Sequence, residues 1–177
     1  AGIALLWPML PRWLSETGLV AQQRFIDVAA QHKAAQWLDA LVWGWPQSGP
    51  EAGADASEDT PPFPEWRMTL AKLLCGLPLD TVLEPWKLTS ADCAALGEQQ
   101  EQWLATLPRQ LQQLHRFSVQ DLRSTFLQRP GLLLREEEHW LLEVETDAGD
   151  ILLHDVPWPM TQVVLPWLDQ PLAVAWL

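Results

Sequence analysis

The sequence predicts an α+β fold, in which an N-terminal helical part of about five helices packs on a small, mainly antiparallel C-terminal sheet. Three observations carry this expectation. Apolar residues recur at helical spacing between recognisable capping residues as far as residue 130. From residue 131 the apolar period shortens to two, and the runs are separated by turn residues. Helices placed before strands, rather than alternating with them, give α+β and not a parallel α/β sheet. A chain of 177 residues, 48% of them hydrophobic, suffices for one core and is cramped for two. Residues 1–177 therefore read as a single domain: 1–45 and 64–130 helical with an acidic loop at 46–63, and 131–177 β.

Residues 8 to 17 read as a short helix, with Pro8 in the first turn, Leu10 and Leu14 on one face and Gly18 as the stop. Asp27 is a good N-cap for a helix reaching Trp43, with Ala30, Ala34, Leu38 and Leu41 aligned and Gly44 beyond its end. The stretch "PQSGPEAGADASEDTPPFP" has no periodicity and reads as a solvated loop. A third helix starts near Glu65, carries the stripe Trp66, Leu70, Leu73, Leu74 and Leu77, and ends at Gly76 and Pro78. Thr89 caps a fourth, with Leu88 able to staple against Cys93, and Pro108 predicts a break at 105–108. In "FSVQDLRSTFLQRPG", Ser118 and Asp121 form a capping box, Phe117 can staple to Leu122, and Arg129-Pro130-Gly131 ends the helix.

"LLLREEEHWLLEVE" reads as two strands about a charged turn at Glu136 to Glu138. "ILLHDV" fits a strand or a helical turn equally. "TQVVLPW" and "LAVAWL" are the last strands, and the Pro residues beside them sit where a missing N–H is tolerated. Cys75 and Cys93 form no CxxC and read as reduced core cysteines.

The net charge of −12 argues against nucleic acid, which requires Lys/Arg clusters, and against anionic membranes. No apolar run approaches transmembrane length, so membrane insertion is not expected. "AGIALLWPML" lacks the charged n-region and cleavage site of a signal peptide. Its start at Ala1, in mid-pattern and without Met, points to a piece of a longer polypeptide. Charge is unevenly placed. Arg109, Arg116, Arg123, Arg129 and Arg135 share a segment whose only acid is Asp121, and no Lys or Arg follows Arg135. Such a split attracts either within one molecule or between copies, which makes Arg123 and Arg129 candidate partner contacts.

Chemistry-bearing motifs are missing. His32, His115, His139 and His154 lie in separate elements without HxxxH or HExxH, so no metal site is expected. There is no GxSxG, no reactive-cysteine signature and no Gly-rich phosphate loop, and neither an enzyme nor a bound cofactor is expected. The aromatic set is skewed instead: 12 Trp, no Tyr and 4 Phe. Trp158, Trp167 and Trp176, near strand ends, suit core packing, a protein-binding patch or a sugar platform, and are candidate partner contacts because Trp is enriched at interface hot spots.

Read in order, "LLWPMLPRWLSETGLV", "RFIDVAAQHKAAQWLDALVWG", "LAKLLCGLPLD", "SVQDLRSTFLQRPGLL", "WLLEVETDAGDILLHDVPW" and "VVLPWLDQPLAVAWL" resemble the conserved C-terminal region of tape measure proteins of extracellular contractile injection systems. These are phage-tail-like particles that drive a spiked tube into a target cell. The similarity covers nearly the whole chain apart from 46–63. Its most specific element is "KLLCGLPL", with Lys72, Leu74, Cys75, Gly76, Leu77 and Pro78; next come "FLQR-G", with Arg129, and the pairs Pro157-Trp158 and Pro166-Trp167. It departs from the family at Leu111, where Trp is frequent, and in the length of the acidic loop.

The resemblance implies a structural protein with no catalytic residues. A tape measure chain runs through the inner tube during assembly and sets its length, while its terminal regions engage other components. Implied partners are the spike, the baseplate, the inner tube and further copies of the chain. The implied location is the bacterial cytoplasm during assembly, then the released particle. The competing expectation is a free-standing, Trp-rich module that binds a carbohydrate or peptide.

Overall fold

The chain opens with a 3-10 helix, Gly2–Leu6, whose five residues are all buried. Gly2 is required there, because a Cβ would overlap the carbonyl oxygen of Phe126. Helix α1 (Leu10–Glu16) has Pro11 in its first turn and buries Leu10, Trp13 and Leu14. A two-residue hairpin follows, which no sequence signal announced: β1 (Val20–Ala21) pairs antiparallel with β2 (Arg24–Phe25). Its turn residues Gln22 and Gln23 both have positive φ, 50° and 65°, a conformation usually left to Asn and Gly.

The molecule is described by a computed structural model over residues 1–45, 65–83, 90–111, 114–137 and 139–176. The acidic loop 46–63, the Thr89 cap with its Leu88 staple, and the Glu138 tip lie outside the described residues.

Helix α2 (Val28–Trp43) is where the sequence placed it. The Asp27 carboxylate accepts from the Ala30 N–H at 2.7 Å, and Gly44 ends the helix at φ 81° with its N–H on the Ala40 carbonyl. Its buried residues run around most of the helix, as expected of a central element, and its alanines leave room for neighbours. Helix α3 (Glu65–Leu74) packs on it through Arg67, which holds the buried Asp39 carboxylate with two bonds of 2.7 and 2.5 Å. Helix α4 (Ser90–Leu104) stops before the predicted break, and α5 (Leu107–Gln110) resumes with Pro108 in its first turn. Trp103 of α4 lies 5.1 Å from Trp13, which in turn lies 6.1 Å from Trp37, so three indoles tie α1, α2 and α4 together. Leu111 is buried.

The Ser118–Asp121 capping box forms as predicted and starts α6 (Val119–Leu122), which widens into a π turn at Arg123–Leu127. The Gln128 N–H accordingly reaches five residues back to the Arg123 carbonyl at 2.8 Å. The β part holds β3 (Gly131–Arg135), β4 (Trp140–Val144), β5 (Gln162–Val163) and β6 (Leu172–Trp176), in the spatial order β3-β4-β6-β5. The outer pairings are antiparallel and the central one, β4 with β6, is parallel. The first half of "ILLHDV", Ile151 to Leu153, is helical, ending a 3-10 helix at Ala148–Leu153, and the rest is a turn. The strand expected across "TQVVLPW" keeps two residues only, Gln162–Val163.

One hydrophobic core runs through both parts. Leu38 and Leu41 of α2, Phe126 and Leu127 of the π turn, and Leu142, Val144, Val163 and Leu172 of the sheet all belong to it. Cys75 and Cys93 are unbonded to each other; Cys75 is in the core, whereas Cys93, expected there too, lies on a half-exposed side of α4.

Candidate partner-contact site

"KLLCGLPL" is the C-terminal end of α3 and its cap. The Leu77 N–H donates to the Lys72 carbonyl and the Gly76 N–H to the Leu73 carbonyl, both at 2.9 Å, which are the two bonds of a Schellman motif. Gly76 sits at φ 70°, the left-handed conformation this cap needs. The next two carbonyls are taken by side chains from elsewhere: Leu74 accepts from the Trp167 indole at 2.8 Å, and Cys75 from the Gln31 amide at 2.7 Å. The helix end is thereby satisfied from three parts of the chain. Lys72, 2% exposed, donates to the Leu79 carbonyl at 3.3 Å and fixes the segment after the cap. Leu74 and Leu77 are buried, and Pro78 is exposed at the end of the motif. Burial pushes the Cys75 thiol pKa up, so it stays a protonated core group.

The three tryptophans proposed from sequence are all half-buried, and each commits its N–H to a carbonyl. Besides the Trp167 bond, Trp158 donates to Leu5 at 3.1 Å and Trp176 to Met160 at 3.0 Å. Trp7 donates to Pro159 at 3.1 Å, so the first Pro-Trp pair and the first 3-10 helix are linked in both directions. Pro157 and Pro166 are exposed beside these rings. Phe25 of the unforeseen hairpin packs 4.9 Å from Trp167. The Trp-Pro segments are thus latches that fasten the β part to the helical part by indole donors.

Arg123 and Arg129 are each only 7% exposed, and both find their partners inside the molecule. The Arg123 guanidinium donates to the Leu41 carbonyl at 2.9 Å and pairs with Glu101. Arg129 grips Asp150 with bonds of 2.5 and 3.2 Å and also donates to the Thr125 and Glu145 carbonyls. Its own carbonyl accepts from the Ala1 nitrogen at 2.5 Å. Asp150 at the same time accepts from the Asp147 N–H, capping the 3-10 helix. Of the two outcomes left open by the charge split, attraction within one molecule is what these side chains make. Arginine as the hub suits this geometry, since its planar fork serves a carboxylate and carbonyls together.

A cleft of about 410 Å³ lies where the α3 cap meets the start of the sheet. Gly76, Leu77 and Pro78 form one wall, and Trp167, Trp140 and Arg135 others. The exposed Arg135 guanidinium sits 5.0 Å over the Trp140 ring, which presents a cation on an apolar support at the rim. Two segments far apart in sequence, "KLLCGLPL" and the second Pro-Trp pair, therefore share one surface. Trp140 and Gln31 were not singled out from sequence, and Arg135 was noted only as one of five clustered arginines: two are ordinary strand residues and Gln31 acts on a backbone carbonyl. Trp158 and Trp176 lie outside this cleft; Trp176 borders a separate one of about 480 Å³ with Ile151 and Met160.

Among the described residues, no three His, Cys, Asp or Glu side chains gather as a metal ion would need. No described helix is long and apolar enough to cross a membrane. No curated protein and no solved structure shows significant similarity to the chain. The family model for contractile injection system tape measure proteins matches residues 1–53 and 54–176, which is nearly the whole sequence. The chain therefore belongs to the contractile injection system tape measure protein family.

Proposed function

We propose that this domain is a non-catalytic assembly module, which engages other particle components while the full tape measure chain sets the length of the inner tube. The observation that supports this most is the meeting of the two signature motifs at one open cleft with a cationic, aromatic rim. A buried helix end needs capping for stability alone, but a stacked arginine beside Pro78 and Trp167 gives an acidic or carbonyl-rich partner surface somewhere to bond. Spike and baseplate proteins are the partners of choice, since the terminal regions of the chain lie at the ends of the tube. Assembly takes place in the bacterial cytoplasm, and the domain then resides in the released particle. Nucleic acid is not a partner, given the net charge of −12.

The test is capture of spike, baseplate and tube proteins of the same particle by the immobilised domain. Arg135→Glu reverses the rim charge at an exposed position, so folding is retained and capture of the true partner falls by about tenfold or more. Trp140→Ala gives the same loss through the support of that charge. Capture unchanged by both variants removes the cleft from the reading, and failure to capture any particle component removes the reading itself.

A further inference from the structure

We infer that the outer edge of β3 is a pairing site for β3 of a second copy of this chain. The inference rests on backbone geometry and does not depend on which particle component the domain meets.

Two bonds beyond the ends of β3 fix which of its groups are in use. The Glu145 N–H donates to the Pro130 carbonyl at 3.2 Å, and the Glu136 N–H donates to the His139 carbonyl at 3.0 Å. In the register from Gly131↔Val144 to Arg135↔Trp140, these are bonded pairs of the antiparallel ladder. Leu132 and Leu134 therefore turn their N–H and C=O toward β4, and Gly131, Leu133 and Arg135 turn theirs outward. No described residue bonds the outward groups of Leu133 or Arg135, and β3 ends the sheet.

The two edges of the sheet are guarded very differently. β5, at the far edge, has two residues and lies between Pro159 and Pro166. β3 has five residues, no proline and a run of three leucines, with Leu132 55% exposed. A regular, apolar, open edge is the arrangement that folded proteins otherwise avoid, unless a strand is to be added there.

A second β3 is the occupant that fits. Laid antiparallel about Leu133, two copies exchange a pair of N–H···O bonds between their Leu133 residues, and Arg135 of each lies opposite Gly131 of the other. Leu132 then faces the partner's Leu134, and the single charged residue of the strand never meets its like. The arrangement has two-fold symmetry and closes on itself. Leu132, Leu134, Leu141, Ala173 and Ala175 share the sheet face away from Leu142 and Val144, with Glu143 between Leu132 and Ala175, so pairing sets two such mixed faces side by side. Each copy carries a net charge of −12, so repulsion opposes the contact and added salt favours it.

Light scattering and sedimentation of the 1–177 chain over a wide concentration range test this. The expected result is a monomer–dimer equilibrium that tightens with salt, with slowed hydrogen exchange at Leu133 and Arg135 in the dimer. Leu133→Pro removes the outward donor together with the partly buried Leu133 side chain, so it is read against Leu133→Ala: the dimer weakens by about tenfold or more in the Pro variant beyond any loss in the Ala variant. Leu132→Lys adds a cation at an exposed edge position and weakens the dimer without touching the backbone. Leu134→Pro, which removes a donor to β4, unfolds the sheet and confirms the parity. A chain that stays monomeric at all concentrations and salts overturns the inference. So does a dimer indifferent to both Leu133→Pro and Leu132→Lys, or an edge that is protected only when another particle component is added.

Discussion

The Trp167 indole N–H donates to the Leu74 carbonyl at 2.8 Å across 93 positions of sequence. This bond joins the end of α3 to the segment between β5 and β6, so the stability of helix cap and sheet is shared. Trp167→Phe keeps most of the ring and loses the donor, and lowers unfolding free energy by about 1 kcal/mol. Trp167→Ala also removes packing against Phe25, with a loss of about 3 kcal/mol. Urea denaturation followed by circular dichroism measures both. A Phe variant as stable as the parent shows that the bond adds nothing net.

Arg129 separates a fork from a point charge. Arg129→Lys cannot serve Asp150 and two carbonyls at once, and loses about 2 kcal/mol. Arg12→Ala breaks an exposed pair with Glu16 one helical turn away and leaves stability nearly unchanged. Equal effects of the two variants contradict the hub.

Two aspartates give pH dependences of opposite sign. Burial holds the Asp39 pKa above the ordinary carboxylate value, outweighing its bonds to Arg67. The folded chain binds that proton more tightly than the unfolded one, so the contribution is fully present below the ordinary value and lost as pH rises through the raised one. Hydrogen bonds from Ser118 hold Asp121 below the ordinary value. Its contribution is present above that value and lost as pH falls through the lowered one. Stability curves between about pH 2 and about pH 7 for Asp39→Asn and Asp121→Asn change slope in opposite directions. Slope changes of one sign refute the assignment.

Gln22 and Gln23 hold left-handed conformations that disfavour any side chain. Replacing the pair with Asn-Gly relieves this and raises stability by about 1 kcal/mol, measured as an increase in the urea midpoint at constant slope. A neutral or lower midpoint means the hairpin is held by Phe25 and Trp167 alone.

Legibility in the sequence followed the range of the interaction. Asp27 with Ala30, Gly44 with Ala40, and Ser118 with Asp121 are local signals between residues three or four positions apart, and all were readable. The β3–β4 pair was readable because a short charged turn joins alternating runs. The β1–β2 hairpin was not, since Gln-Gln carries none of the usual turn chemistry. Nor was the parallel pairing of β4 with β6, which depends on packing between segments separated by a whole strand. At the candidate site the hidden step is chemical: Trp7, Trp158, Trp167, Trp176 and Gln31 all bond backbone carbonyls, which exist at every residue. Arg123 and Arg129 read as surface charge because arginine is rarely buried, and their acids lie 22 and 21 positions away.

β6 comes last among the strands in sequence, yet it fills the middle of the sheet between β4 and β5. During synthesis β4 has only β3 to pair with until residues 172–176 emerge, and its second edge, with Leu142 and Val144, stays bare. The sheet is therefore completed by its final strand, after the helices that flank it have formed. A ribosome that stalls a few codons before Leu172 releases a chain with an open, apolar seam, and such chains are the natural targets of proteases and chaperones.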